Sequence, residues 1–254
     1  MSSLILPNGK IENIKMVIFD KDGTLIDVNH YWCSMIEFRA QFFVDSLKDE
    51  VIDKNSLYND LVDKMGIDLN MKKMKPQGPV GIKPRTFIID VAYDTICKYC
   101  ANYTKDKVVD VFAEVDEYSK LKLKDIVKPL DGVIDLLKNL KKNNILSSIA
   151  TTDLSTRALL AMENLNIKDY FIEIVGADLV ENAKPSPDLI EYIINKHNLM
   201  ISDVVVVGDS MADLNMAKNA KCEFLAVKTG LYTKEFIEQS NNIIEDLTQV
   251  KVEI

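Results

Sequence analysis

The sequence predicts an α/β fold: an open parallel sheet flanked by helices, with a helical segment inserted after the first strand. Three observations carry this. Five short apolar runs punctuate the chain, and they are continuous rather than alternating, the texture of parallel strands buried on both faces. Between the later runs lie helix-length amphipathic segments, the alternation expected of an α/β sheet. Between the first run and the rest, apolar residues recur only at helical spacing.

The strand-like runs are Lys15-Met-Val-Ile-Phe-Asp20, Ile145-Leu-Ser-Ser-Ile-Ala150, Phe171-Ile-Glu-Ile-Val175, Val204-Val-Val-Val207 and Phe224-Leu-Ala-Val227. Val133, Leu136, Leu137 and Leu140 form one helical stripe; Ala158, Leu159, Met162 and Leu165 form a second; Leu189, Ile190, Ile193 and Ile194 form a third. Asp131 and Ser186 stand where N-caps are expected. In the inserted segment, helical spacing is carried by Tyr31, Trp32, Met35 and Ile36, by Leu57, Leu61 and Met65, by Ile88, Val91 and Thr95, and by Val108, Phe112 and Val115. Pro76, Pro79 and Pro84, with Gly78 and Gly81, break that segment, and Lys128-Pro129 marks its end. The expected domains are an α/β core of 1–27 and 128–254 and a helical insertion of 28–127.

Composition bounds the function. The 254 residues are 47% hydrophobic, enough for a large core. Thirty-one basic against 39 acidic side chains give a net charge of −8, which argues against a nucleic acid as main partner. Four scattered cysteines do not make a disulfide framework, and Cys97-Lys-Tyr-Cys100 lacks the second Cys or His pair of a zinc site. The first twenty residues lack the basic start and long apolar run of a secretory signal, and no apolar stretch approaches a membrane span. The expectation is a cytoplasmic monomer with no membrane partner.

Ligands of open parallel sheets bind beyond the carboxyl ends of the strands. Those ends carry Asp20 and Asp22, then Thr151 and Thr152, then Gly208-Asp209. By itself Asp20-Lys-Asp-Gly-Thr24 also reads as an acidic turn. A calcium loop is excluded, because an EF-hand needs glycine at position six and glutamate at twelve, whereas here glycine is at four and Tyr31 at twelve.

The set resembles the haloacid dehalogenase-like superfamily of phosphohydrolases. Asp20-Lys-Asp-Gly-Thr-Leu25 is similar to its first motif, Thr151 after Ile149-Ala to its second, Lys184 in Lys184-Pro-Ser-Pro-Asp188 to its third, and Gly208-Asp-Ser-Met-Ala-Asp213 to its fourth. The resemblance implies a Rossmann-like core and a magnesium-dependent phosphatase for a small phosphorylated metabolite. Asp20 would be the nucleophile that forms an aspartyl-phosphate, and Asp22 the general acid and then base. Asp20, the Asp22 carbonyl and Asp209 would hold Mg2+, with Asp213 either a further ligand or the group that orients the metal's waters. Gly23, Thr151, Thr152 and Lys184, beside Asp22, would bind the phosphoryl group. The family's members without an acid at the position of Asp22 do other chemistry, so Asp22 points to phosphoester cleavage.

An insertion after the first motif resembles the helical cap of the phosphoglycolate phosphatase-like and β-phosphoglucomutase-like branch. Mutases of that branch carry a histidine ten residues after the second aspartate. Here that position is Trp32, and His30 stands two residues early. A phosphosugar mutase is therefore the alternative reading, and a non-catalytic phospho-ligand module the third. His30, Lys83 and Arg85 are the candidate specificity residues, the latter two in the proline-stiffened segment Lys75 to Arg85.

Overall fold

The computed structural model describes residues 2–47, 53–75, 78–80, 83–230 and 232–253. The chain divides into two compact units, Met1–Val28 with Val127–Ile254, and Asn29–Ile126. In chain order the strands are β1 (Ser3–Leu6), β2 (Gly9–Ile11), β3 (Met16–Phe19), β4 (Ile67–Asp68), β5 (Lys73–Met74), β6 (Leu146–Ala150), β7 (Glu173–Val175), β8 (Val204–Gly208), β9 (Glu223–Val227), β10 (Asn242–Ile244) and β11 (Lys251–Glu253). The α-helices are α1 (Val28–Leu47), α2 (Lys54–Met65), α3 (Arg85–Ile96), α4 (Lys105–Leu121), α5 (Leu123–Ile126), α6 (Val133–Lys142), α7 (Ser155–Asn164), α8 (Asp188–His197), α9 (Met211–Ala220) and α10 (Lys234–Gln239).

The first unit is built on a six-stranded sheet of order β10-β9-β8-β3-β6-β7, parallel throughout. Every residue of β3 and of β8 is buried, which explains why these strands read as unbroken apolar runs. The chain passes from β3 to β6 and β7 on one side, then returns to β8, β9 and β10 on the other. That reversal makes the crevice at the carboxyl ends of β3 and β8 a topological switch point. Register levels the strand ends: Phe19 lies opposite both Val207 and Ile149. Asp20, Asp209 and Thr151 therefore leave the sheet on one rim.

Helix α6 buries Val133, Leu136, Leu137 and Leu140, and α8 buries Leu189, Ile190 and Ile193. Each such side chain contributes roughly 1.5–3 kcal/mol on burial. The expected N-caps are not there. Helix α6 starts from Gly132 at φ 82°, and α8 from Pro187; neither has a side-chain cap. Ser186 instead bonds the Asp188 carboxylate at the start of α8. A separate antiparallel sheet, β11-β1-β2, was not legible in the sequence, because strands of three or four residues carry too little periodicity.

The inserted unit holds most of α1, with α2 to α5, and a small antiparallel pair, β4 and β5. Asp53 caps α2 by accepting from the Ser56 N–H, and Thr104 caps α4. Pro84 is the N-cap position of α3, so the break read at that proline is a helix start. Pro76 and Gly81 lie outside the described residues. Phe43, Leu57, Leu61 and Phe112 are fully buried. The Arg39 guanidinium, also buried, lies 4.5 Å from the Phe112 ring centroid, and that of Arg85 lies at 5.3 Å. Burial lowers the Arg39 pKa to about 10. Among the described residues, no helix is long and apolar enough to cross a membrane.

Phe112 therefore carries both apolar packing and the stacked guanidiniums. Phe112→Ala is expected to cost about 3–5 kcal/mol, read as a lowered urea midpoint for the inserted unit. A midpoint within error of wild type would contradict this placement.

Candidate active site

Asp20 follows directly on β3, its N–H donating to the Val207 carbonyl at 2.8 Å. The chain then turns sharply: the Leu25 and Ile26 N–H groups both donate to the Lys21 carbonyl, and Gly23 donates to Ile26. Gly23 sits at φ 93°, where glycine alone is unstrained. Asp209 follows β8. Asp213 lies in the first turn of α9, where Ser210 caps the helix by accepting from the Asp213 N–H, and the Asp213 carboxylate accepts from the Ser210 N–H and hydroxyl.

These placements gather Asp20, Asp209 and Asp213, all buried, so that one oxygen of each lies within 4.8 Å of the others. Lys184 reaches the same point from the loop before α8. Its Nζ is 2.5 Å from Asp20 Oδ1 and 2.5 Å from Asp213 Oδ1, with only 2% of the side chain exposed. That loop is tied down: the Asn182 N–H and side-chain amide donate to Asp188, and the Asn219 amide donates to the Pro185 carbonyl.

The electrostatics follow from burial. Desolvation pushes the Asp20 pKa up to about 7; Lys184 opposes this, while Asp213 and Asp22 add repulsion. Asp209 is raised well above the usual range by desolvation and by Asp20 and Asp213. Burial acts to lower Lys184, but Asp20 and Asp213 outweigh it and the ammonium is held charged. With all three carboxylates ionised, one ammonium would leave two negative charges in excess, a repulsion that adds to the desolvation raising Asp20 and Asp209. A hard divalent cation with oxygen ligands answers both the donor set and the charge. The residues present thus fit Mg2+.

The two hydroxyls differ. Thr151 is buried, its N–H donates to the Val175 carbonyl, and its Oγ1 accepts from the Asp153 N–H at 3.1 Å, leaving its own O–H to donate. Thr152 is exposed at the same strand end. The Asp22 carboxylate does not join the three-acid cluster; it pairs with Lys21. Within the inserted unit, His30 Nε2 lies 3.0 Å from the Asp125 carbonyl, Arg85 pairs with Asp116 at 2.7 Å, and Lys83 is exposed.

Two contributors escaped sequence reasoning. The Thr229 hydroxyl donates to the Gly23 carbonyl at 2.5 Å, bracing the turn. A Cβ on Gly230 would lie 1.6 Å from Asp209 Oδ2, and one on Gly23 2.4 Å from it, so both glycines make room for that carboxylate. The available signal was position, since Thr229 and Gly230 follow the end of β9.

Gly230→Ala is expected to displace the Asp209 carboxylate and, if the cluster holds Mg2+ as its donor set fits, to weaken that binding by about 10–100-fold. A Mg2+ titration checks this, and wild-type affinity would contradict it. A second expectation concerns pH. A carboxyl whose pKa is raised by folding stabilises the fold at low pH and loses that contribution as pH rises through the folded value. In EDTA, Asp20→Asn should therefore gain melting temperature relative to wild type from pH ~4 to ~8. Parallel curves, or the opposite trend, would contradict the burial of Asp20 as a charged group.

Comparison with known proteins places the chain in a family. Residues 17–227 match the model of the haloacid dehalogenase-like hydrolases. The pyrophosphatase PpaX of Halalkalibacterium halodurans is 25% identical over 53% of this chain and 62% of its own. A phosphorylated carbohydrates phosphatase of Thermotoga maritima is 29% identical over 47% and 55%, and a phosphoglycolate phosphatase of Vibrio parahaemolyticus is 34% identical over 32% and 35%. The matches thus span less than two thirds of these relatives' lengths. Among solved structures, a haloacid dehalogenase-like family hydrolase of Streptococcus pneumoniae superposes with a TM-score of 0.59 at 20% identity, covering 93% of this chain and 96% of the other. CbbY of Rhodobacter sphaeroides, solved with phosphate, gives 0.56 at 16%, covering 93% and 96%. The fold is shared with both, and the family match extends from β3 to β9: the chain belongs to the haloacid dehalogenase-like hydrolase family.

Proposed function

We propose that the protein is a magnesium-dependent phosphatase that hydrolyses a small phosphate monoester through an aspartyl-phosphate on Asp20. The observation that carries this is the buried Asp20 carboxylate, held by Lys184 in a cluster with excess negative charge. Such a group is desolvated, fixed and short of positive charge, which suits a nucleophile that works beside a metal. The phosphatase names of the matched relatives support the same class.

Asp20, Asp209 and Asp213 would hold the metal, which when bound offsets the charge of the phosphoryl oxygens. An Asp20 oxygen attacks phosphorus as the ester bond breaks. Asp22 gives its proton to the leaving oxygen, then takes one from the water that hydrolyses the acyl phosphate. Lys184 and the Thr151 hydroxyl hold phosphoryl oxygens. The inserted helical unit is the part of the chain to which this reading assigns substrate choice.

Phosphate release from a panel of phosphomonoesters tests the proposal. Release should require Mg2+ and stop with EDTA. Asp20→Asn should fall to background, because an amide is not a usable nucleophile, and Asp22→Asn should lose about 10²–10⁴-fold. Near-normal turnover by Asp20→Asn would overturn the mechanism. Activation by a sugar bisphosphate without net phosphate release would replace phosphatase with mutase.

A further inference from the structure

Lys21 lies between the two aspartates of the first motif, and the mechanism above does not use it. It is a buried cation, 5% exposed. Its Nζ sits 2.9 Å from Asp22 Oδ1 and 2.8 Å from Oδ2, so it engages both oxygens of that carboxylate. The same Nζ is 3.1 Å from Asp153 Oδ2. Asp153 is itself fixed. Its Oδ1 accepts from the Leu154 N–H at 2.8 Å and faces the Arg157 guanidinium at 3.6 Å, its carbonyl accepts from Ala177, and its N–H donates to Thr151 Oγ1.

We infer that Lys21 is a positioning residue, clamping the Asp22 carboxylate to the Thr151–Asp153 loop so that the proton donor and the Thr151 hydroxyl keep a fixed geometry. The inference rests on the reading of Asp22 as acid and base.

The physical argument is one of constraint. Asp22 is the least buried of the four acids, with a third of its side chain exposed, and it lies within the turn after β3 rather than directly at a strand end. Left alone, its carboxylate has rotamer freedom and water to bind. A buried ammonium that bonds both oxygens removes that freedom, and a proton donor acts only within hydrogen-bond reach of the leaving oxygen. Asp153 gives Lys21 a second carboxylate. The ammonium thus keeps a partner when Asp22 carries its proton, which avoids a stranded buried charge. The chain Arg157, Asp153, Lys21 and Asp22 alternates in sign and links the start of α7 to the first motif.

A brace that only stabilised the turn would affect every substrate alike. A clamp on the acid would not. In the phosphoryl-transfer step the bond from phosphorus to Asp20 forms, the bond to the alcohol oxygen breaks, and the Asp22 proton goes to that oxygen. A nitrophenolate leaves without the proton, whereas an aliphatic alkoxide does not.

The experiment compares kcat/KM for an aliphatic phosphate ester and for p-nitrophenyl phosphate in wild type, Lys21→Met, Lys21→Arg, Asp153→Asn and Asp22→Asn. For Lys21→Met the aliphatic ester should fall by about 10²-fold and the aryl ester by only a few-fold. Lys21→Arg should recover most of the loss, and Asp153→Asn should show the same split in weaker form. Comparing two esters on one preparation corrects for any fraction of unfolded protein, and Asp153→Asn approaches the clamp from its other end. An equal fall for both esters, or no fall for either, in Lys21→Met would overturn the inference while Asp22→Asn still shows the split. If Asp22→Asn shows no split, the acid reading fails and the inference with it.

Discussion

Three carboxylates packed around one ammonium at the end of a buried parallel sheet govern this structure. Asp20, Asp209 and Asp213 are each costly to bury, and Lys184 compensates for only part of that cost. The surroundings are arranged to tolerate the arrangement. Strands β3 and β8 deliver two of the acids in register, a capping box fixes the third, and glycines clear the space around Asp209. The raised pKa values of Asp20 and Asp209 record the residual strain in electrostatic form. A divalent cation among these oxygens would relieve it, so under the proposed function binding energy and catalytic capacity would have one source.

The surrounding fold follows from that requirement. Unbroken apolar runs bury the central strands β3 and β8 throughout, and their paired register sets where the strand ends fall. The chain reversal between β7 and β8 opens a crevice over the two central strand ends. The turn after β3 is held by local bonds to the Lys21 carbonyl and by the distant Thr229 hydroxyl, so the first motif is set partly by a contact from far along the chain.

Much of this was legible in the sequence. The runs at Met16, Val204 and Phe224 are strands because apolar continuity over four or five residues, bounded by polar residues, leaves few alternatives. Asp20 and Asp209 read as strand-end acids for the same reason. What was not legible depends on three-dimensional neighbours. Asp131 and Ser186 are good cap residues, yet α6 starts at a left-handed glycine and α8 after a proline, neither with a side-chain cap. Strands β1, β2, β10 and β11 are too short to show a period. Lys21 sits in plain view within the motif, but nothing in one dimension says that it turns towards Asp153. Arg85 reads as a candidate specificity residue in the sequence and is paired with Asp116 in the structure.

The central claim is that Asp20 carries the phosphoryl group. Rapid acid quench of the enzyme during turnover with Mg2+, followed by peptide mapping by mass spectrometry, tests it directly. The account predicts one phosphoryl group on the peptide containing Asp20, stable in acid, released by base, and absent when EDTA is added before substrate. Turnover with no phosphoryl group on that peptide, or with the group on another residue, would contradict it.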